Sequence, residues 1–219
     1  MEEEGKEVSL LSSDYPWDEC NEKSIEIDLT QFEELDAYAQ KVNVKDSVEN
    51  LVSVLLQKAH NDLEKVRAIW MWICHHIEYD MEAFYDEAKR ASEAADVLQS
   101  GKGICTGYCG LFEEMCSIAG IQCKTLSGYC IGYGYKAEQV IEEYKSHVWS
   151  TVHLDGRWHL LDSTWGSGCV DDKGNFTFRY SEFYFLTHPA LFIEDHFPDD
   201  PRWQLLKQTL RLEMDGCDG

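Results

Sequence analysis

Residues 146–162 read Ser146-His147-Val148-Trp149-Ser150-Thr151-Val152-His153-Leu154-Asp155-Gly156-Arg157-Trp158-His159-Leu160-Leu161-Asp162. Asp-Gly between two runs of β-branched, aromatic and aliphatic residues is a strong hairpin signal. A two-residue turn that matches the strand twist needs positive φ at both central positions, and Asp followed by Gly tolerates it. With Asp155-Gly156 as that turn, Leu154 pairs with Arg157, and counting back sets Trp149 opposite Asp162 and His147 opposite Thr164. Opposed residues share a sheet face and alternate residues return to it, so His147 and Asp162 become diagonal neighbours on one face. A slip of one residue would throw them onto opposite faces. The stretch therefore predicts an antiparallel sheet that brings an imidazole and a carboxylate together.

Upstream, Gly101-Lys102-Gly103-Ile104-Cys105-Thr106-Gly107-Tyr108-Cys109 ends a glycine-rich turn and begins a stretch of helical spacing that Gly120 stops. Cys105 thus sits at a helix start, where the positive end of the backbone dipole and unpaired N–H groups favour a thiolate. Cys105, Cys109, Phe112 and Cys116 fall on one helical face, which turns the thiol toward the core. Cysteine, histidine and aspartate in this order suit acyl transfer. The thiolate of Cys105 attacks an amide carbon, His147 moves the proton, and Asp162 fixes the imidazole's tautomer and orientation. The oxyanion calls for donors. The backbone N–H of Cys105 is the first, while Gln99, six residues earlier, and the indoles of Trp70 and Trp72 are the candidates for the second.

The remaining pattern is read around these segments. Ser47 caps a helix reaching about Ala59, and Asn61 or Asp62 caps another with Leu63, Val66, Ile69, Trp70 and Ile73 on one face. A short helix covers Glu93 to Gln99, a strand runs from Ile121 to about Tyr133, and a polar loop follows through Tyr144. Residues 1–45 are expected as an acidic, loosely ordered arm, 46–206 as one domain, and 207–219 as a short tail. The fold class is α+β.

With 219 residues and 44% apolar content, one core of substantial size suffices. A net charge of −22 opposes a broad basic face, which argues against nucleic acid or an anionic membrane as partner. No run of about 18 apolar residues occurs, so no membrane span is expected. The nine cysteines come with no apolar leader after Met1, and a reducing, cytoplasmic location is the expectation. No Cys-x-x-Cys or zinc-spaced Cys/His set occurs. His75-His76 reads as a helix end and Asp171-Asp172-Lys173-Gly174-Asn175 as a hairpin turn, so neither metal nor cofactor is called for.

Three motifs carry a resemblance. Gly103-Ile104-Cys105-Thr106-Gly107-Tyr108, Ser146-His147-Val148-Trp149 and Leu161-Asp162-Ser163-Thr164-Trp165-Gly166 together resemble the core of the transglutaminase-like superfamily. Val66 to Asp80 and Phe183 to Trp203 resemble its kyphoscoliosis peptidase group of muscle and cytoskeletal proteins. The resemblance spans roughly residues 45–206. It implies a papain-like, transglutaminase-like core in which a nucleophile helix packs on an antiparallel sheet carrying the His and Asp. It also implies a cysteine hydrolase or acyltransferase acting on protein amide bonds, with protein substrates or cytoskeletal proteins as partners. Thr106 stands where calcium-dependent tissue transglutaminases have tryptophan, which weakens protein crosslinking as the activity. The alternative function is a non-catalytic interaction domain that keeps the fold and binds cytoskeletal proteins.

Overall fold

In the computed structural model the described residues are 22–131 and 145–211, and the statements below concern these. The first part of the expected arm, most of the loop through Tyr144 and the last residues of the tail lie outside them. The principal helices are α1 (Glu33–Lys41), α2 (Val48–Leu55), α3 (Asp62–His76), α4 (Ala94–Ser100), α5 (Cys105–Ile118) and α6 (Ser163–Ser167). The principal strands are β1 (Cys123–Cys130), β2 (Lys145–Leu154), β3 (Arg157–Leu161) and β4 (His196–Pro198).

The caps fall where side-chain chemistry places them. Ser47 accepts from the Asn50 N–H to start α2, and Asn61 accepts from the Glu64 N–H to start α3. Helix α3 is buried on every side over Val66–Cys74, including Trp70 and Trp72, as a helix surrounded by other elements must be. It ends with His75 and His76 donating from Nδ1 to the Met71 and Trp72 carbonyls, at 2.8 and 2.7 Å. These two histidines are helix-end residues, as their sequence position suggests.

The four strands form an antiparallel sheet in the order β3-β2-β1-β4. Asp155 and Gly156 have φ of 50° and 79°, the double positive the turn requires. Leu154 pairs with Arg157 and the ladder continues to Ser150 opposite Leu161, in the expected register. It stops there. Asp162 leaves the strand and caps α6, accepting from the Trp165 N–H on Oδ1 at 3.0 Å, so the expected pairs Trp149–Asp162 and His147–Thr164 do not form. Helix α5 lies across β1 and β2 and also packs on α3, α4 and α6. A helix that opens on Cys105 and packs on an antiparallel sheet is the α+β arrangement expected. The Asp171–Asn175 segment is the turn of a small hairpin between Gly168–Val170 and Phe176–Phe178, again as expected.

The expected loose arm is corrected over its described half. Phe32, Leu35, Ala39 and Val42 are buried in the main core. Arg67 of α3, 3% exposed, donates to Asp36 of α1 at 2.9 and 2.8 Å and to Glu182 at 2.7 and 2.9 Å. The Phe32 and Phe185 rings lie 4.9 and 4.7 Å from its guanidinium. A buried guanidinium of this kind needs carboxylates on both forks, and α1 supplies one of them. The acidic residues that make the arm look disordered are in part this cation's partners. The packed domain therefore begins well before residue 46.

Candidate active site

Three elements converge on one point. Helix α5 begins at Cys105, which is half-buried, with Ile104 as an N-cap that offers no side-chain acceptor. The first N–H groups of the helix, that of Cys105 among them, have no carbonyl one turn back to bind. Strand β2 contributes His147, 6% exposed, and the end of β3 contributes Asp162, 1% exposed. His147 Nε2 donates to Asp162 Oδ2 at 2.6 Å, which leaves Nδ1 as the nitrogen available to the Cys105 thiol. The Trp165 ring covers the imidazole, 5.5 Å away and 28° from parallel.

The electrostatics follow from this geometry. Burial alone would push His147 down, but the Asp162 carboxylate and the adjacent Cys105 thiol outweigh it and raise the ring to about 10. Burial alone would push Asp162 up, and the His147 and His196 imidazoles hold it instead below the usual carboxylate range. His159, on the same hairpin and equally buried, behaves oppositely. Burial dominates there and lowers it to about 4, with Ser24 Oγ at 2.6 Å on Nδ1 and the Leu154 carbonyl at 3.2 Å from Nε2. Two histidines of one sheet are thus driven apart by their neighbours, one upward and one downward. Burial pushes the Cys74 and Cys109 thiols up.

Of the positions expected from sequence, Cys105, His147 and Asp162 are brought together. Gln99 is exposed near the end of α4, and none of the hydrogen bonds of this cluster runs to it. The indoles are used elsewhere. Trp70 Nε1 donates to the Tyr180 hydroxyl at 3.1 Å and Trp72 Nε1 to the Val42 carbonyl at 3.0 Å, which removes both as oxyanion donors.

Two residues escaped the sequence reading. Tyr79, half-buried, has its phenol proton held more tightly by burial first and then by the nearby Cys105 thiol, so it borders Cys105. His196, from β4, donates from Nε2 to Asp162 Oδ2 at 2.7 Å, the oxygen that also receives His147. No local pattern marks it, since its partner lies in a different part of the chain. The nearest ligand-type atoms of His147, Asp162 and His196 fall within 4.8 Å of one another. At 2.6 and 2.7 Å from a shared oxygen both imidazoles are placed to donate hydrogen bonds, and a metal ion would need the lone pairs that those N–H groups replace.

The model of the transglutaminase-like superfamily matches residues 49–163, a span that contains Cys105, His147 and Asp162. Human kyphoscoliosis peptidase is 58% identical over 200 residues, covering 90% of this chain and 30% of that protein. The Lim and transglutaminase domain protein ltd-1 of Caenorhabditis elegans is 28% identical over 206 residues, 88% of this chain and 28% of its own length. The chain thus spans less than a third of the curated relatives just described. Among solved structures, a putative cysteine protease from Cytophaga hutchinsonii superposes with a TM-score of 0.44 at 20% identity, over 60% of this chain and 42% of that one. The hairpin register, the helix that opens on a cysteine and the family match converge: the chain belongs to the transglutaminase-like superfamily and is similar to kyphoscoliosis peptidase.

Proposed function

We propose that this domain performs cysteine-dependent acyl chemistry on protein amide bonds. The single observation that carries the reading is the 2.6 Å contact from His147 Nε2 to Asp162 Oδ2, with the other side of the ring turned to Cys105 at the start of α5. In the first step the Cys105 proton moves to His147 and the sulfur attacks the amide carbon. The resulting oxyanion is placed for the backbone N–H of Cys105. Collapse of the tetrahedral species transfers the His147 proton to the leaving amine and leaves a thioester. Water, or an amine, then attacks the thioester with His147 as base, giving hydrolysis or transfer respectively. Asp162 keeps the Nε2 proton in place throughout and so holds Nδ1 free as the working nitrogen.

Resemblance to the kyphoscoliosis peptidase group leads us to infer cytoskeletal proteins as the substrate class, in a cytoplasmic setting. Among the described residues no helix is long and apolar enough to cross a membrane, which is compatible with that setting.

Alkylation with iodoacetamide across pH tests the reading without a known substrate. The expected result is rapid labelling near pH 6.5 that maps to Cys105, disappears in Cys105→Ala and slows strongly in His147→Ala. Uniform slow labelling of Cys105, indifferent to His147, would leave only the non-catalytic interaction domain standing.

A further inference from the structure

The reaction just described uses one side of Asp162 and leaves the group behind it unused. His196 has no exposed side-chain surface and lies between two carboxylates. Its Nε2 is 2.7 Å from Asp162 Oδ2, and its Nδ1 is 2.5 Å from Asp195 Oδ1. A neutral imidazole carries one N–H. With both acids ionised, one of these short contacts would then set lone pair against lone pair, whereas the doubly protonated ring donates to both. The surroundings suit a flat cation. Phe192 stacks on the ring at 4.1 Å and 26°, and Trp165, Trp149 and Tyr184 stand around it at 4.6, 5.0 and 5.9 Å. Tyr184 also donates its hydroxyl to Asp195 Oδ2 at 3.1 Å, fixing that carboxylate.

We propose that Asp195 and His196 form a second charged dyad in which the His196 imidazolium, a positioning residue, fixes Asp162 and tempers its pull on the proton of His147. The catalytic consequence rests on the acyl-chemistry reading above; the charge on His196 does not. The titratable groups facing the dyad are Asp162 at the end of β3, His147 on β2, Cys105 on α5, Cys130 on β1 opposite His196, and Tyr184 beside Asp195. The sign follows from this set. Without the cation, the full charge of Asp162 acts on His147 and favours its imidazolium, while thiolate formation at Cys105 is disfavoured. Both limbs of the pH window in which thiolate and imidazolium coexist therefore move up. The His147 and His196 rings are 5.6 Å apart, and a unit charge at that distance, with an effective dielectric of about 20, corresponds to a shift of about two pH units.

The test uses the full chain. His196→Gln keeps an amide donor for Asp162 but removes the charge, and Asp195→Asn keeps the imidazole but removes the anion that holds its second proton. Nitrogen-15 NMR of the histidine rings at pH 8 is expected to show His196 protonated on both nitrogens in the wild type and in Cys105→Ala. It is expected to show a single N–H in Asp195→Asn. Iodoacetamide profiles of Cys105 are expected to move upward on both limbs, by about two pH units in His196→Gln and by less in Asp195→Asn, where a cation and an anion are lost together. A neutral His196 tautomer in the wild type overturns the proposal, and so do profiles that lose amplitude without moving. If wild-type Cys105 labels as an ordinary thiol, the acyl-chemistry reading fails and the ring spectrum alone decides the charge. If His196→Gln does not fold, Asp195→Asn and the spectrum carry the test.

Discussion

Asp162→Asn separates the chemical role of this residue from its structural one. The asparagine carbonyl can still accept from the Trp165 N–H and cap α6, as Oδ1 does at 3.0 Å. Its amide, placed where Oδ2 now receives His147 at 2.6 Å and His196 at 2.7 Å, offers N–H to two nitrogens that themselves donate. His147 must then accept at Nε2 and carry its proton on Nδ1, the nitrogen that should take the thiol proton. The ring, now raised to about 10 from an ordinary 6.5, loses the carboxylate that raised it, a span of roughly three decades in proton affinity. The rate of Cys105 alkylation at pH 6.5 should accordingly fall by about 10²–10³-fold. Stability should change in a definite window. The raised His147 contributes stability that is fully present below its unfolded value near 6.5 and lost as pH rises through about 10. The depressed Asp162 contributes above its unfolded value near 3.8, and that contribution is lost as pH falls. Counted once, as a single interaction, the loss in the variant should be about 3–5 kcal/mol at pH 7, shrinking toward both extremes. The measurements are iodoacetamide kinetics by mass spectrometry and denaturant unfolding at pH 4, 7 and 10. A variant that alkylates at the wild-type rate at pH 6.5 and unfolds at the wild-type midpoint at pH 7 would show that Asp162 neither sets the His147 proton nor stabilises the fold.

Other perturbations test the scaffold. Arg67→Ala strands Asp36 and Glu182 around an emptied site and should cost about 3–5 kcal/mol in urea unfolding, with Arg67→Lys recovering little because a lysine cannot serve both forks; a midpoint within error of wild type would show that α1 is not held by this cation. Gly166→Ala places a Cβ 2.3 Å from the Trp70 ring and should lower stability by about 1–3 kcal/mol, read as a fall in melting temperature; unchanged melting would mean that α6 can slide. Phe32→Ala empties a fully buried site and should cost about 3–5 kcal/mol, against the negligible effect expected if residues 22–45 were loosely attached.

The sheet was legible because its decisive signal is local. Asp155-Gly156 sets the pairing of its own flanks, and pairing read from a turn needs no knowledge of the rest of the chain. The ladder ends one pair short of the expected register, at Asp162. An aspartate before Ser163-Thr164 can continue a strand or cap a helix, and the competition between ladder and cap is settled by where Trp165 and Gly166 pack against His147 and Trp70. Helix α5 and its C-terminal stop were legible for the same local reason, with Gly120 at φ 77° just beyond its end. The packed half of the arm was hidden by composition. Phe32, Leu35, Ala39 and Val42 already lie at helical spacing, but the acids among them read as solvation until Arg67 is known to be buried nearby. His196 was illegible in principle, since its place depends on β4 pairing with β1 across more than sixty residues of intervening chain.

That pairing has a consequence for how the site comes into being. Pro198 and Phe197 lie so close over Gly128 that a Cβ there would stand 2.2 Å from the Phe197 carbonyl oxygen, so the docking of this short strand tolerates no side chain beneath it. A growing chain can form the hairpin and bring His147 to Asp162 as soon as that segment is free. The rear of the carboxylate stays open to water until His196 arrives some thirty residues later, and only then is the pair sealed from solvent. Synthesis itself thus imposes an order in which the Asp162 carboxylate is closed off last, by one of the final pieces of the described fold to be made.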